Sequence, residues 1–325
     1  MKLGIIPADQ AVGKILVHNI VDAEGQKALS KGRQIRAEDI ARLRALGKES
    51  VYVAIPEPGD VREDDAAVRL AKAAAGKGIE MSKPSGGRVN FYAGGHGMFR
   101  VNPAGLARLN ALNGVTLATI AGNTAVAPKK MVATLKTIGL SLPETTLQQA
   151  EKIVQETGAT LEVTPVKNQR AAIILTGTEN GQARVQEIFE PPIRARLEEL
   201  GARVIAEAQV SEDADAIGEM LEKMIAQGAQ IVILAGETSI MDADDITPRG
   251  VRRAGGTLEL YGAPVEPGNL LLLAYCGEVP VIGAPGCIKS RETNAVDLIL
   301  PRLLAGERVT REDVNALAEG GLLIG

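Results

Sequence analysis

Arg170-Ala171-Ala172-Ile173-Ile174-Leu175-Thr176-Gly177-Thr178-Glu179 and, further along, Gln230-Ile231-Val232-Ile233-Leu234-Ala235-Gly236-Glu237-Thr238-Ser239 share one pattern. Each is an unbroken apolar run that ends in a polar turn containing glycine. A run without alternation suits a strand buried on both faces, as in a parallel sheet covered by helices. The neighbouring segments agree. Gln182 to Leu200 places Ile188, Ile193, Leu197 and Leu200 at helical spacing, with Gly201 behind them. Val204 to Ala206 reads as a short strand, and Ala214 to Ala226 as a helix stopped by Gly228. A helix from about Pro248 follows, then strands at Thr257 to Tyr261, Leu270 to Cys276 and Pro280 to Ile282, and a closing helix from Thr293 to Leu304. Strands alternating with helices predict an α/β domain over residues 166–310: a mostly parallel sheet in a three-layer αβα arrangement. Residues 311–325 read as a C-terminal tail. Ligands in such sheets sit beyond the carboxyl ends of the strands.

Residues 1–165 read as an N-terminal α+β region. Two small subdomains, 1–58 and 80–140, are joined by a helix over Asp60 to Ala75. Strands are expected at Lys14 to His18, Ser50 to Ile55, Arg88 to Tyr92, Met98 to Val101, Val115 to Ile120 and Met131 to Ile138. Helices are expected at Ala37 to Leu46, from Asn102-Pro103 to Ala111, and from Pro143 to Glu156. Asn123 to Lys130 reads as a connection and Gly158 to Asn168 as a linker.

Composition narrows the function classes. The 325 residues are 45% hydrophobic but only 2% aromatic, so the core is aliphatic and few rings exist to stack on nucleic-acid bases. A net charge of -4 offers no broad basic face, so nucleic acid is not an expected partner. No apolar run approaches the length of a membrane span, so no membrane role is expected. The N-terminal residues, with Lys2, Asp9 and Gln10, do not read as a signal peptide. Cys276 and Cys287 lack CxxC spacing, and two free thiols suit a reducing, cytoplasmic setting. His18 and His96, the two histidines, are too few for a His-rich metal site.

The chemistry-bearing residues gather after the apolar strands. Thr176, Gly177, Thr178 and Glu179 follow the first run; Gly236, Glu237, Thr238 and Ser239 follow the second. Glycine lets a ligand approach the backbone, and exposed amides with Thr and Ser hydroxyls bind phosphate oxygens. The plain alternative is an ordinary turn with a capping hydroxyl. Asp242, Asp244 and Asp245 lie within four positions, a spacing that would suit Mg²⁺. Their alternative is a helix start with Thr247 as N-cap and Pro248 at the first position. Two later turns, Pro267-Gly268 and Pro285-Gly286, also follow or join strands, and Lys289 and Ser290 open the segment before the last helix. Cys287 has no nearby histidine to activate it, so an idle thiol is the simpler reading.

These turns together resemble the molybdopterin-binding domain shared by molybdenum insertases and molybdopterin adenylyltransferases. Thr176-Gly177-x-Glu179 looks like the insertase strand-end motif, Ala235-Gly236-Glu237-Thr238-Ser239 like its Gly-Gly loop, and Asp245-x-Thr247-Pro248 like the adenylyltransferase Asp-x-Thr-Pro. Pro267-Gly268 and Pro285-Gly286, with Ser290, resemble the insertases' later Pro-Gly turns. The resemblance is nearer still to the molybdopterin-binding unit that some bacteria fuse to a nucleotidyltransferase. It runs from Val12-Gly13-Lys14-Ile15-Leu16 to Gly320-Gly321-Leu322-Leu323. Departures accompany it: Ala235 replaces a loop glycine, Asn269 an insertase lysine, Cys287 an insertase asparagine, and Asp244 an adenylyltransferase arginine.

What the resemblance implies is a module that binds molybdopterin or the molybdenum cofactor during its biosynthesis or delivery. The ligand phosphate would lie on the 176–179 and 236–239 turns with Ser290, and the pterin near Pro267-Gly268 and Pro285-Gly286. Mg²⁺ would bridge from Asp242, Asp244 or Asp245. A homo-oligomer, and a separate nucleotidyltransferase or molybdoenzyme as partner, are implied as well. The alternatives are molybdenum insertion or nucleotidyl transfer in the same pocket, with Asp245 and Glu179 catalytic, and a competence-damage-type nucleotide pyrophosphatase. The missing cations weigh against phosphoryl chemistry.

Overall fold

The first apolar run forms strand β1 (Arg170–Thr176), and the chain continues as α1 (Gln182–Glu199), β2 (Arg203–Val210), α2 (Ala214–Ala226) and β3 (Ile231–Gly236). After it come α3 (Ile246–Arg253), β4 (Thr257–Tyr261), β5 (Leu272–Cys276), β6 (Val279–Gly283), α4 (Ala295–Leu304) and a short α5 (Arg311–Asn315). The computed structural model describes residues 1–323. They divide into two units. One holds residues 1–94, 100–122 and 129–163; the other holds 95–99, 123–128 and the chain from Thr164 onward.

The second unit is built on one six-stranded sheet in the order β2-β1-β3-β6-β5-β4. β1 runs parallel to β2 and β3, and β3 parallel to β6. β5 is antiparallel to both β6 and β4. The unbroken apolar runs now have a cause. Ala171, Ile173 and Leu175 pack on Val185, Phe189, Ile193 and Leu197 of α1, in a core that also takes Val296, Ile299 and Leu303 of α4. Ala172 and Ile174 face the other way, toward Ile217, Leu221 and Met224 of α2 and Val251 of α3. Any polar residue at 171–175 would meet one helical layer or the other, and an unpaired buried polar group costs about 1–3 kcal/mol. The expected mostly parallel, three-layer αβα architecture is the one observed.

Helix α1 continues through Pro191 and Pro192, which lie inside it. The 311–323 segment packs against the unit: Val314 is fully buried in the α1–α4 core beside Val309, and Leu317 and Leu323 pack against it. Its anchor is polar. Arg302 of α4 donates Nε to Glu307 at 2.8 Å and Nη2 to Asp313 at 2.8 Å, while Thr310 and Asp313 close a capping box at the start of α5. The Arg302 guanidinium, with the Thr310 amide, holds the Asp313 carboxyl down at about 2, from an ordinary 3.8. A carboxyl depressed in the folded state stabilises it fully above the unfolded value. That stabilisation fades as pH falls from 3.8 toward 2. Asp313→Asn is therefore expected to lower the urea midpoint at neutral pH and to flatten its decline over this acid window. A variant whose acid limb stays as steep as the parent's would contradict the assignment.

The first unit is α+β. Lys2–Pro7 pairs antiparallel with Ser50–Ile55, which also pairs with Ile15–Leu16, and Ala37–Ala45 is helical. Leu16, Leu29, Ile35, Leu43, Val51 and Val53 form its small core. A second sheet runs Val115–Thr119, Met131–Thr137, Arg88–Ala93, Ile79–Met81, all antiparallel. Helices Glu63–Ala74, Pro103–Asn110 and Glu144–Thr157 complete the unit. The helix read as starting at Asp60 begins at Glu63, because Asp60–Arg62 instead pairs with Ser141–Pro143. Two segments read as connections contain strands. In the second unit, Thr124–Val126 pairs with Gly97–Phe99, and Leu161–Pro165 lies within the stretch read as a linker. Their partners are distant in sequence, so local pattern carries no trace of them.

Candidate functional site

Strand register decides which turns meet. Thr176 at the end of β1 is level with Val210 of β2 and Gly236 of β3; Gly283 of β6 is level with Leu234. Because β5 runs the other way, its first residue, Leu272, is level with Gly283, and Tyr261 at the end of β4 is level with Leu272. The turns after β1, β2, β3 and β6 and the β4–β5 connection therefore share one rim of the sheet. Every turn singled out in the sequence lies along it.

The turns are not bare. The amide and hydroxyl of Thr178 both donate to Oε2 of Glu237, at 3.0 and 2.9 Å. The amide and hydroxyl of Thr238 both donate to Oε1 of Glu212, at 3.1 and 2.8 Å. The Gly177 amide donates to the Val210 carbonyl and that of Glu237 to the Thr176 carbonyl. The expectation of open amides at 178 and 238 is thus corrected: a carboxylate oxygen already sits on each. The Thr178 amide, followed by its hydroxyl, holds the Glu237 carboxyl below the usual carboxylate range, so it is charged at neutral pH. Glu179 is exposed at the tip of its turn.

Gly236 has a close-packing reason: an added methyl would lie 2.0 Å from the Thr176 hydroxyl. Ile240 roots the second turn in the core, 8% exposed, and the Tyr261 hydroxyl donates to its carbonyl at 2.8 Å. Ser239 lies beside the Pro285-Gly286 turn, where a methyl on Gly286 would come 3.6 Å from its hydroxyl. The Ser290 hydroxyl accepts from the Glu292 amide at 3.1 Å, a local turn bond. Pro267-Gly268 packs on the start of α4, with the Ala295 amide donating to the Pro267 carbonyl. Burial pushes the thiols of Cys276 and Cys287 up, which suits neither to nucleophilic work.

The three aspartates do not converge. Asp242 accepts from the Asp244 amide at 2.7 Å, and Asp244 pairs with Arg252 at 3.3 Å. Asp245 accepts from the amides of Ile246 and Met241, at 2.7 and 2.9 Å. Among the described residues, no three Asp, Glu, His or Cys side chains are placed to hold a metal ion. The set expected to take Mg²⁺ does not fit it, because each carboxylate is spent on its own loop. The alternative helix start is also adjusted: the N-cap of α3 is Asp245 rather than Thr247, and Pro248 is the third residue inside. Asp245→Ala should therefore cost about 1 kcal/mol of stability, the usual worth of such a cap, read as a shift in urea midpoint. An unchanged midpoint would show that the cap carries no load.

Recesses open along the rim. One, of about 10 Å³, lies between Thr176, Glu212, Thr238, Ser239, Asp245 and Thr247 and has room for about one water. Another, of about 190 Å³, has Val185, Ile188 and Phe189 as an apolar wall, with Gly181, Arg184, Glu237 and Lys289 around it. A third, of about 310 Å³, lies on the β4–β5 connection at Val265, Glu266 and Asn269, beside Gly321 and Leu322. Small-molecule sites join apolar walls to a few polar groups, which favours the recess on Val185 and Phe189, where two cations stand beside the strand-end turns. Among the described residues, the side chains of Arg184 and Lys289 make no hydrogen bond or close ion pair, though Arg184 is near enough to act on the Glu237 carboxylate electrostatically. The sequence reading missed Arg184, although it lies in the first turn of the helix after the Thr176–Glu179 turn. It also missed Glu212, because β2 was read as ending at Ala206, short of the rim.

A family described as a probable molybdopterin binding domain matches residues 172–305, and a domain of unknown function matches 5–55. No curated protein matches the chain in sequence. Among solved structures, a molybdenum cofactor biosynthesis protein from Pyrococcus furiosus is 14% identical, with a TM-score of 0.26 over 94% of this chain and 64% of its own. The chain thus spans 64% of that protein's length. A molybdopterin biosynthesis MoeA protein from Pyrococcus horikoshii is 12% identical, with a TM-score of 0.28 over 94% of this chain and 74% of its own. The CinA protein of Thermoplasma acidophilum, of unknown function, is 18% identical, with a TM-score of 0.35 over 42% of this chain and 98% of its own. No described helix is long and apolar enough to cross a membrane. Residues 172–305, with their strand-end turns on one rim, are thus the part of the chain that matches the family described as a probable molybdopterin binding domain.

Proposed function

We propose that the rim of the second unit binds molybdopterin or the molybdenum cofactor, and that the chain serves the biosynthesis or delivery of that cofactor. The observation that carries this reading is the common rim. Register alone brings Thr176 to Glu179, Gly236 to Ser239, Pro267-Gly268 and Pro285-Gly286 to one edge of the sheet, beside a recess of about 190 Å³. The ligand's phosphate would face Thr178, Arg184 and Lys289, and its flat heterocycle would rest on the Val185, Ile188 and Phe189 wall. Charge-assisted hydrogen bonds contribute about 1.5–3 kcal/mol each, so four or five give micromolar binding.

The test is to mix the purified protein with molybdopterin and its nucleotide forms, remove unbound material, and identify the retained ligand by mass spectrometry. Retention of one form at near-stoichiometric level supports the reading, and retention of none sinks it. Turnover at the same rim is the second reading. The rim's own contribution to offsetting phosphoryl charge would come from Arg184 and Lys289, since Asp242, Asp244 and Asp245 offer no common point. Product formation from molybdopterin with molybdate and MgATP would establish it.

A further inference from the structure

The recess walled by Val185, Ile188 and Phe189 is unbalanced in charge. Two cations, Arg184 and Lys289, line it without hydrogen-bond or close ion-pair partners among the described residues, and the single carboxylate there is Glu237. That carboxylate is held in an unusual way. One oxygen, Oε2, takes both the amide and the hydroxyl of Thr178, from the neighbouring strand end. It also lies against Gly181, where an added methyl would come within 2.3 to 2.7 Å of all three carboxyl atoms. The side chain therefore fills the space that an external oxyanion would need to reach the same donors.

We infer that Glu237 is a built-in occupant of an oxyanion seat, displaced only by a phosphate monoester whose attached body also binds the recess. This rests on the proposed function and adds a selectivity device to it. Free phosphate would have to break two charge-assisted hydrogen bonds and face a negative neighbour, with only Arg184 and Lys289 in return. A phosphomonoester adds apolar contact along Val185, Ile188 and Phe189, which offsets that cost. Selectivity then comes from a repulsive element as much as from an attractive one. Because the carboxyl is held below its usual range, the occupant stays charged wherever the protein works near neutral pH.

The experiment measures binding of inorganic phosphate, and separately of molybdopterin, to the full chain and to Glu237→Gln and Glu237→Ala by calorimetry at neutral pH. Glu237→Ala should bind inorganic phosphate at least about tenfold more tightly than the parent, a change worth one decade in Kd. Glu237→Gln, which keeps an acceptor for Thr178 and so guards against a collapsed turn, should fall between them. Adding Arg184→Ala to Glu237→Ala should remove the gain. Phosphate affinity that is equal in all three proteins, or weaker in the variants, overturns the inference. Molybdopterin binding by the parent alone decides the proposed function, so the two failures are separable.

Discussion

Replacing Arg196 by alanine is expected to lower the unfolding free energy of the second unit by about 3 kcal/mol, the low end of the range for breaking a buried ion pair. Arg196 lies on α1 and is 4% exposed. Its guanidinium donates to Asp297 at 2.8 and 3.3 Å, and to the carbonyls of Pro192, Ile288, Ser290 and Glu292 at 2.7 to 3.2 Å. Four carbonyls and a carboxylate would each lose a donor at once. The lower end applies because Asp297 keeps 26% exposure and a second bond, from the Asn294 amide. A surface pair would be worth only about 0–1 kcal/mol, so the two cases separate cleanly. Arg196→Lys keeps the charge but loses the planar fork that reaches several acceptors, and should recover part of the loss. Denaturation in urea followed by circular dichroism measures both. Hydrogen exchange should also speed up over 286–292, the segment that carries Lys289 to the recess. A loss below about 1 kcal/mol would mean that the cluster behaves as a solvated pair.

Arg196 also marks where sequence reading stops. The runs at 171–175 and 231–235 announced two doubly buried strands, because helices on both faces leave no position for a polar residue. The turns after them were legible for the same reason: polarity can resume only where the strand leaves the layers. Arg196 falls among Ile193, Leu197 and Leu200 and, beside Arg194, reads as one more solvated charge on an amphipathic helix. Apart from the Pro192 carbonyl one turn back, its acceptors lie about a hundred residues away, and only the fold brings them there. The carboxylates on Thr178 and Thr238 were hidden likewise, since Glu237 after β3 and Glu212 after β2 reach turns that the sheet order, not spacing, brings close. The three aspartates show the converse. Their spacing resembled a cation site, but each carboxylate finds a backbone amide or Arg252 first, because Asp makes local turn bonds readily.

Glycine 268 supplies a second large effect and a way to separate packing from ligand approach. Its φ is +123°, and an added methyl would meet Cβ, N and Cα of Ala295 at 2.5, 2.6 and 3.1 Å. Two of those atoms are backbone at the start of α4, where the buried side chain of Asn294 accepts from Val296, so the neighbour has little room to yield. Strain at such a φ costs about 1–3 kcal/mol, and forcing a methyl into packed surroundings another 1–3. Gly268→Ala should therefore destabilise by about 2–6 kcal/mol. Gly262, in the same connection, has φ +83° and meets only the Asn269 carbonyl, at 3.9 Å. Gly262→Ala should cost the strain alone, about 1–2 kcal/mol. The difference between the two urea midpoints isolates the contact with α4. If Gly268→Ala proves no worse than Gly262→Ala, the steric account is wrong, and the glycine answers to something that approaches from outside. If it is much worse, the Pro267-Gly268 turn is fixed by the start of α4 and presents its outer side to the rim as a rigid edge. A ligand meeting that edge would then find it already shaped before binding.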